Sequence, residues 1–132
     1  MKKCISTNQA PAAIGPYSQA VQAGNLLFVS GQLPINPQTG TLIDGDIASR
    51  THQIMANIRA IAKAADAELV DIIKTTIFLT DLADFRTVNE AYGQYFPTEP
   101  PARSTVQVAA LPLGANIEIE SIFFLPADRS NR

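Results

Sequence analysis

Arg103, Thr105, Glu118 and Glu120 carry most of the chemistry this chain can offer. A guanidinium forks onto a carboxylate through two parallel hydrogen bonds, and a glutamate beside it can hold or move a proton. Arg103 stands in "PPARSTVQV" (100–108), directly after a proline pair and at the start of an alternating run. Pro100 and Pro101 restrict φ and so lower the entropic cost of holding the arginine in one place. Strand periodicity puts Arg103, Thr105 and Gln107 on one face and Ser104, Val106 and Val108 on the other. In "ANIEIESIFFL" it puts Glu118 and Glu120 together, opposite Ile117, Ile119 and Phe123. A hairpin around "LPLGA" with Thr105 beside Glu118 would bring Arg103 beside Glu120. One cation, one hydroxyl and two carboxylates would then share a sheet face. Two readings stay open. Spacing alone favours a solvent-washed face with cross-strand pairs of a few tenths of a kcal/mol each. A small-anion site is the sharper alternative, and the prolines lean toward it.

Other catalytic groups are sparse. No glycine-rich phosphate loop follows a strand, and no His/Cys/Asp cluster has metal-ligand spacing. Ser18, Ser30 and Ser104 lack a general base, because the one histidine, His52, falls on a helix without an acidic or cysteine partner nearby. A solvated or packed role is expected for it. Cys4 is the one cysteine, which excludes an internal disulfide.

These residues need a frame, and the pattern supplies one. "YSQAVQAGNLLFVSGQL" (17–33) predicts two strands around Gly24-Asn25, and "INPQTG" (35–40) a turn. From Asp46 to Ala65, Ile47, Ile54, Ile58, Ile61 and Ala65 recur at helical spacing, with Asp46 the expected N-cap. "DIIKTTIFLTDL" (71–82) predicts a buried strand. "DFRTVNEAYGQYF" (84–96) predicts a second helix with Phe85, Val88, Tyr92 and Tyr95 on one stripe and Asp84 as its cap. Two strands follow, over 103–109 and 117–125. The order β-β-α-β-α-β-β fits one sheet with two helices on one face.

The 132 residues fit a single domain, 1–132, and 46% hydrophobic against 17% charged residues provides a core without a disorder signature. So low a charged fraction in a small domain points to surface hidden in an oligomer. The net charge of −2, with no cationic run, argues against binding a nucleic-acid backbone. No stretch of about 20 apolar residues exists to span a membrane. "MKKCISTNQAP" has no apolar stretch of the kind a signal peptide needs, so a cytoplasmic protein is expected.

"APAAIGPYSQAV" (10–21), "FVSGQLPINPQTG" (28–40), "IKTTIFLTDLADFRTVNEAY" (73–92), "PPARSTVQVAALP" (100–112) and "IEIE" (117–120) together resemble the RidA/YjgF family of enamine/imine deaminases, in the family's order and over nearly the whole chain. The resemblance implies a chorismate-mutase-like α+β fold, with a mixed sheet and two helices on one face. It also implies a homotrimer with sites in the clefts between subunits. The implied reaction is hydrolysis of 2-imino acids, 2-iminobutanoate and 2-iminopropanoate, to 2-oxo acids and ammonia, without metal or organic cofactor. Arg103 would clamp the substrate carboxylate and Glu118 would hold or activate the water. Tyr17 would close the pocket, and backbone groups around Ser30 and Gly31 would help position the substrate. Asn89 in "VNEAY" and Pro112 in "LP" match further family-typical positions, Asn89 among the substrate-binding ones. Some members carry cysteine where this chain has Thr105. Its hydroxyl or backbone can still serve a substrate hydrogen bond, but a thiol nucleophile is excluded, which moves the chemistry to an activated water. Two alternatives stand beside this one: a trimer that binds 2-oxo acids or other metabolites without turnover, and an RNA-directed translation inhibitor.

Overall fold

The structure is a computed structural model that describes residues 1–127. Ten elements concern the site: β1 (Lys2–Ile5), β2 (Ala20–Ala23), β3 (Leu26–Gln32), β4 (Ile35–Asn36), β5 (Thr41–Leu42), α1 (Ile47–Ala64), β6 (Ile72–Leu79), α2 (Phe85–Gly93), β7 (Ala102–Gln107) and β8 (Ile117–Phe124). Six of the strands form one mixed sheet in the order β1-β2-β3-β8-β6-β7, while β4 and β5 pair as a small hairpin around the expected turn. The expected strands and both helices are present. β1 was not expected: in "KKCI" only Ile5 is buried, too little apolar alternation to announce a strand.

α1 begins where the pattern places it. The Asp46 side chain accepts a hydrogen bond from the Ser49 amide at 2.8 Å, satisfying one of the amides a helix start leaves orphaned. Ile54, Met55, Ile58, Ile61 and Ala62 then face the sheet at zero exposure. Asp84 stands at the start of α2 without a side-chain capping bond. The cap acts one turn earlier, where the Asp81 carboxylate accepts from the Ala83 amide at 2.9 Å. α1 and α2 cover one sheet face. Leu27, Ile77, Leu79, Ile117, Ile119 and Phe123 are fully buried beneath them, each contributing about 1.5–3 kcal/mol through removal of apolar surface from water. The opposite face has no covering layer among the described residues. Phe28, Val106 and Phe124 stand on it 44%, 41% and 43% exposed, beside half-buried Phe78 and Ile122.

The expected hairpin between the last two strands does not form. β7 pairs only with β6, in parallel, and β6 lies between β7 and β8. The cause is the helix that precedes β7. A strand–helix–strand unit returns the chain parallel to its first strand, and consecutive elements tend to lie side by side, so β7 pairs with β6. β7 therefore takes the edge. The chain then crosses back through residues 108–116 so that β8 enters the centre between β3 and β6, antiparallel to both.

Candidate active site

The register of three strands decides which functional side chains meet. Thr75 on β6 is paired with Arg103 on β7 and with Ser121 on β8, so these three share the helix-covered face. The next position pairs Thr76 with Ser104 and Glu120, and Phe78 with Val106 and Glu118. Glu118 and Glu120 thus share a face, as the periodicity predicts, but it is the open one. Arg103 and Thr105 look the other way, which corrects the expectation that all four would gather on one sheet face and that Thr105 would lie beside Glu118. Within one chain the candidates form two half-sites.

The first half-site lies on the open face. Ile14, Tyr17, Val29, Ser30, Gly31, Leu33, Pro112, Glu118 and Glu120 line a cavity of about 520 Å³. Its geometry starts from a bulge in β3. Val29 is paired with Ser121 and Gln32 with Ile119, so Ser30 and Gly31 together stand opposite Glu120. The extra residue re-aims the strand where it meets the carboxylates. Ser30 is held from both ends: its amide donates to the Gln19 carbonyl at 3.0 Å and its hydroxyl to the Ser18 carbonyl at 2.6 Å. The Tyr17 hydroxyl accepts from the Ile14 amide at 3.3 Å, which ties together the 14–17 loop in the cavity wall, where Tyr17 is 53% exposed. Pro112 opens a single 3₁₀ turn in which Leu113 has φ +60.

Burial holds the Glu118 carboxyl above its ordinary range, and the neighbouring negative charge of Glu120 adds to the effect. A carboxyl in that condition exchanges a proton closer to neutrality than a solvated one does.

The second half-site is at the β7 edge. The Arg103 guanidinium lies over two aromatic rings of α2, 5.2 Å from the Tyr92 centroid and 5.5 Å from that of Phe85. The Tyr92 ring is fixed in turn. Its hydroxyl shares a 2.7 Å hydrogen bond with Thr75 Oγ1, and Thr75 is the residue paired with Arg103 across the strands. Burial raises the Tyr92 hydroxyl pKa, so the phenol stays neutral and leaves the cation uncompensated. Among the described residues no carboxylate pairs with Arg103 and no acceptor occupies its N–H groups. Thr105, two residues on, has its hydroxyl oxygen buried without a hydrogen-bond partner. Asn89 is half-buried on α2, between Phe85 and Tyr92 in sequence. The chain approaches this edge through Glu99, held at φ +48 just before Pro100 and Pro101, a left-handed conformation costing a non-glycine residue about 1 kcal/mol.

His52 has the packed role expected of it, with Nδ1 2.7 Å from the Tyr95 hydroxyl. No group of three or more metal-ligating side chains occurs among the described residues. No helix among them is long and apolar enough to cross a membrane.

Sequence reasoning missed three polar residues that hold the loops of the first half-site. Buried Gln19 accepts from the Thr7 amide at 2.7 Å and donates to the carbonyls of Thr7 and Pro11 at 3.0 and 2.7 Å, so it anchors the segment leading to Tyr17. Asn57 donates from α1 to the carbonyls of Leu33 and Ile35, at 3.3 and 3.0 Å. Arg50 bridges the Ile43 carbonyl and the Asn116 side chain just before β8. Polar residues at inward positions of apolar patterns were the available signal, and for Asn57 and Gln19 it was there to be read.

The family model for Endoribonuclease L-PSP matches residues 7–124. The chain is 54% identical over 121 residues to Reactive Intermediate Deaminase A of Arabidopsis thaliana chloroplasts, covering 92% of this chain and 65% of that longer protein. It is 47% identical to the 2-iminobutanoate/2-iminopropanoate deaminase of Homo sapiens, covering 92% of this chain and 89% of the human one. The structure of E. coli TdcF with bound serine superposes with a TM-score of 0.89 at 46% identity, over 94% of this chain and 99% of that one. The mixed sheet, the two helices on one of its faces and the matched residues together establish that this chain belongs to the RidA/YjgF family.

Proposed function

We propose that this protein hydrolyses reactive 2-imino acids, 2-iminobutanoate and 2-iminopropanoate, to 2-oxo acids and ammonia, in sites completed by two copies of the chain. The observation that carries the reading is the pair of complementary half-sites. Arg103 offers an unpaired guanidinium braced on two rings, and Glu118 offers a partly desolvated carboxyl in a cavity of about 520 Å³, on the other sheet face. A substrate of six or seven heavy atoms is far too small to touch both within one chain. A second copy presenting its β7 edge to the Glu118 cavity removes the difficulty. The uncovered apolar face bearing Phe28, Val106 and Phe124 gives such an assembly something to bury, and a homotrimer is the form we propose.

In this reading the Arg103 fork takes the α-carboxylate and sets the imine carbon above Glu118 of the adjoining copy. Asn89 and Thr105 support the carboxylate end, while Tyr17, Ser30 and Gly31 shape the other. Glu118 accepts a proton from water as the water oxygen bonds to the iminium carbon, and the C=N pair withdraws onto nitrogen. The product is a carbinolamine. Glu118 returns its proton to that nitrogen, and the C–N bond breaks as the hydroxyl oxygen forms the carbonyl. The hydroxyl proton passes through Glu118 to the departing ammonia. One water is consumed; a 2-oxo acid and ammonium leave. The iminium carbon is already electrophilic, so orientation and one general base are sufficient help.

The human and Arabidopsis relatives bear deaminase names, which supports this activity. The serine in the TdcF structure favours a second reading, a trimer that binds amino or oxo acids without turnover. Glu118 weighs against it, because carboxylate binding needs no desolvated acid beside the ligand. An RNA-directed role, which the family model's description suggests, finds little support in a chain with net charge −2 and no cationic run. The decisive test couples the protein to a threonine dehydratase and follows free imine. Faster loss of imine than in the dehydratase-only control supports the deaminase; an unchanged rate together with measurable 2-oxobutanoate binding selects the binding trimer.

A further inference from the structure

Gly31 is a glycine without a backbone reason. Five glycines of the chain, at 15, 24, 40, 45 and 114, occupy positive φ, where a side chain is strained; Gly31 is not among them. Its position is also exposed, so no crowded core excludes a side chain there. One group does. A Cβ built on Gly31 would lie 2.7 Å from Glu118 Oε2, 2.8 Å from Cδ and 3.1 Å from Cγ, and no other residue contributes to the three nearest contacts. The Glu118 side chain occupies the space that a side chain on the bulge residue would need.

We infer that Gly31 is a positioning residue whose missing side chain is the seat of the Glu118 carboxyl. The inference rests on the deaminase reading for its catalytic consequence, though not for the contact itself. Ser30 and Gly31 jointly oppose Glu120 in the β3 bulge, so the strand bends where the seat lies, and Ser30 is tied to the Ser18 and Gln19 carbonyls. The seat is therefore rigid, whereas the carboxyl is the end of a flexible side chain. Any side chain at position 31 moves the carboxyl rather than the strand. A glutamate displaced by about 1 Å keeps its charge and loses its aim at the water. Glu120, on the same face, cannot replace it, because the bare α-carbon lies under Glu118.

The test is a double-mutant cycle of Gly31→Ala and Glu118→Ala, read by thermal melting and by imine hydrolysis. Gly31→Ala is expected to lower kcat on the order of 10- to 100-fold and to change KM for the imine by less, since the Arg103 clamp is untouched although Gly31 borders the substrate. In the Glu118→Ala background, which lacks the base, the cycle is read by melting alone, and the same substitution is expected to leave the melting temperature unchanged, because the clashing group is gone. Equal drops in melting temperature from Gly31→Ala in both backgrounds, or wild-type kcat in Gly31→Ala, overturn the proposal. So does failure of the double variant to fold, which would reveal a backbone demand for glycine. If the wild-type protein does not accelerate imine hydrolysis, the deaminase reading falls by itself. The seat is then judged by the melts alone: destabilisation by Gly31→Ala that Glu118→Ala relieves upholds it, and destabilisation in both backgrounds rejects it.

Discussion

Arg103 and Glu118 project from opposite faces of the same sheet, two strands apart. A ligand held by both must bridge two chains, and this yields a mixing prediction. Neither Arg103→Ala nor Glu118→Gln protein is expected to turn over imine. Unfolded together in equal amounts and refolded, they should regain about one quarter of wild-type activity, the share of sites that draw Arg103 from one variant and Glu118 from the other by random assortment. Activity of the mixture no higher than that of either parent would place both residues in one chain's site and contradict the strand register.

Arg103 owes its reach to the rings beneath it as well as to its charge. Arg103→Ala should weaken 2-oxobutanoate binding on the order of 100-fold by calorimetry, since the ligand carboxylate loses a charged bidentate partner. Arg103→Lys keeps the charge but neither the fork nor the flat face that lies on Tyr92 and Phe85, and is expected to recover little of that loss. Wild-type affinity in Arg103→Ala would remove the clamp from the mechanism.

Tyr92 separates platform from tether. Tyr92→Phe keeps the ring under Arg103 but leaves Thr75 Oγ1 unpaired at a site only 1% exposed, so about 1–3 kcal/mol of stability is expected to go while 2-oxobutanoate affinity changes little. Tyr92→Leu removes the ring and should weaken that affinity several-fold, in line with the roughly 0.5–2 kcal/mol of a cation–π contact. Binding unaffected by Tyr92→Leu, measured on folded protein, would make the ring packing alone.

Most of the elements were legible because their signals are local. Asp46 caps α1, the isoleucines of 46–65 face the sheet, and Glu118 alternates with Ile117 and Ile119, all within one strand or one turn. The order of strands in the sheet was harder to read, because it depends on connections. A hairpin around "LPLGA" was plausible from turn chemistry. The parallel β6-α2-β7 unit took the neighbouring place instead and turned Arg103 to the helix side. The same error hid the platform: Phe85 and Tyr92 were visible as a helical stripe, but nothing in their spacing points to an arginine from another element. Gly31 was legible as a residue of the site through family likeness, and its steric role emerged only when Glu118 was seen lying over it.

Glu118 also sets a pH dependence of stability. Its pKa is raised above 4.5 in the folded chain, chiefly by burial and then by Glu120, so the folded state binds this proton more tightly than the unfolded one. By linkage, the protein is then most favoured, with respect to this group, below the unfolded pKa, and loses that advantage as pH rises through the folded value. Ionising the carboxyl there works against its burial and against the charge of Glu120. Glu118→Gln removes the charge and is expected to melt at a higher temperature than wild type at pH 7, the gap closing as pH falls below about 4.5. Glu120→Gln should show part of the same gain, because it removes the like charge but leaves the burial. Carboxyl NMR titration checks the cause directly: Glu118 in the Glu120→Gln protein should titrate at lower pH than in wild type and still above its ordinary value. A Glu118→Gln protein less stable than wild type at pH 7 would show instead that the carboxylate is held by favourable contacts, and the base would need to be sought elsewhere.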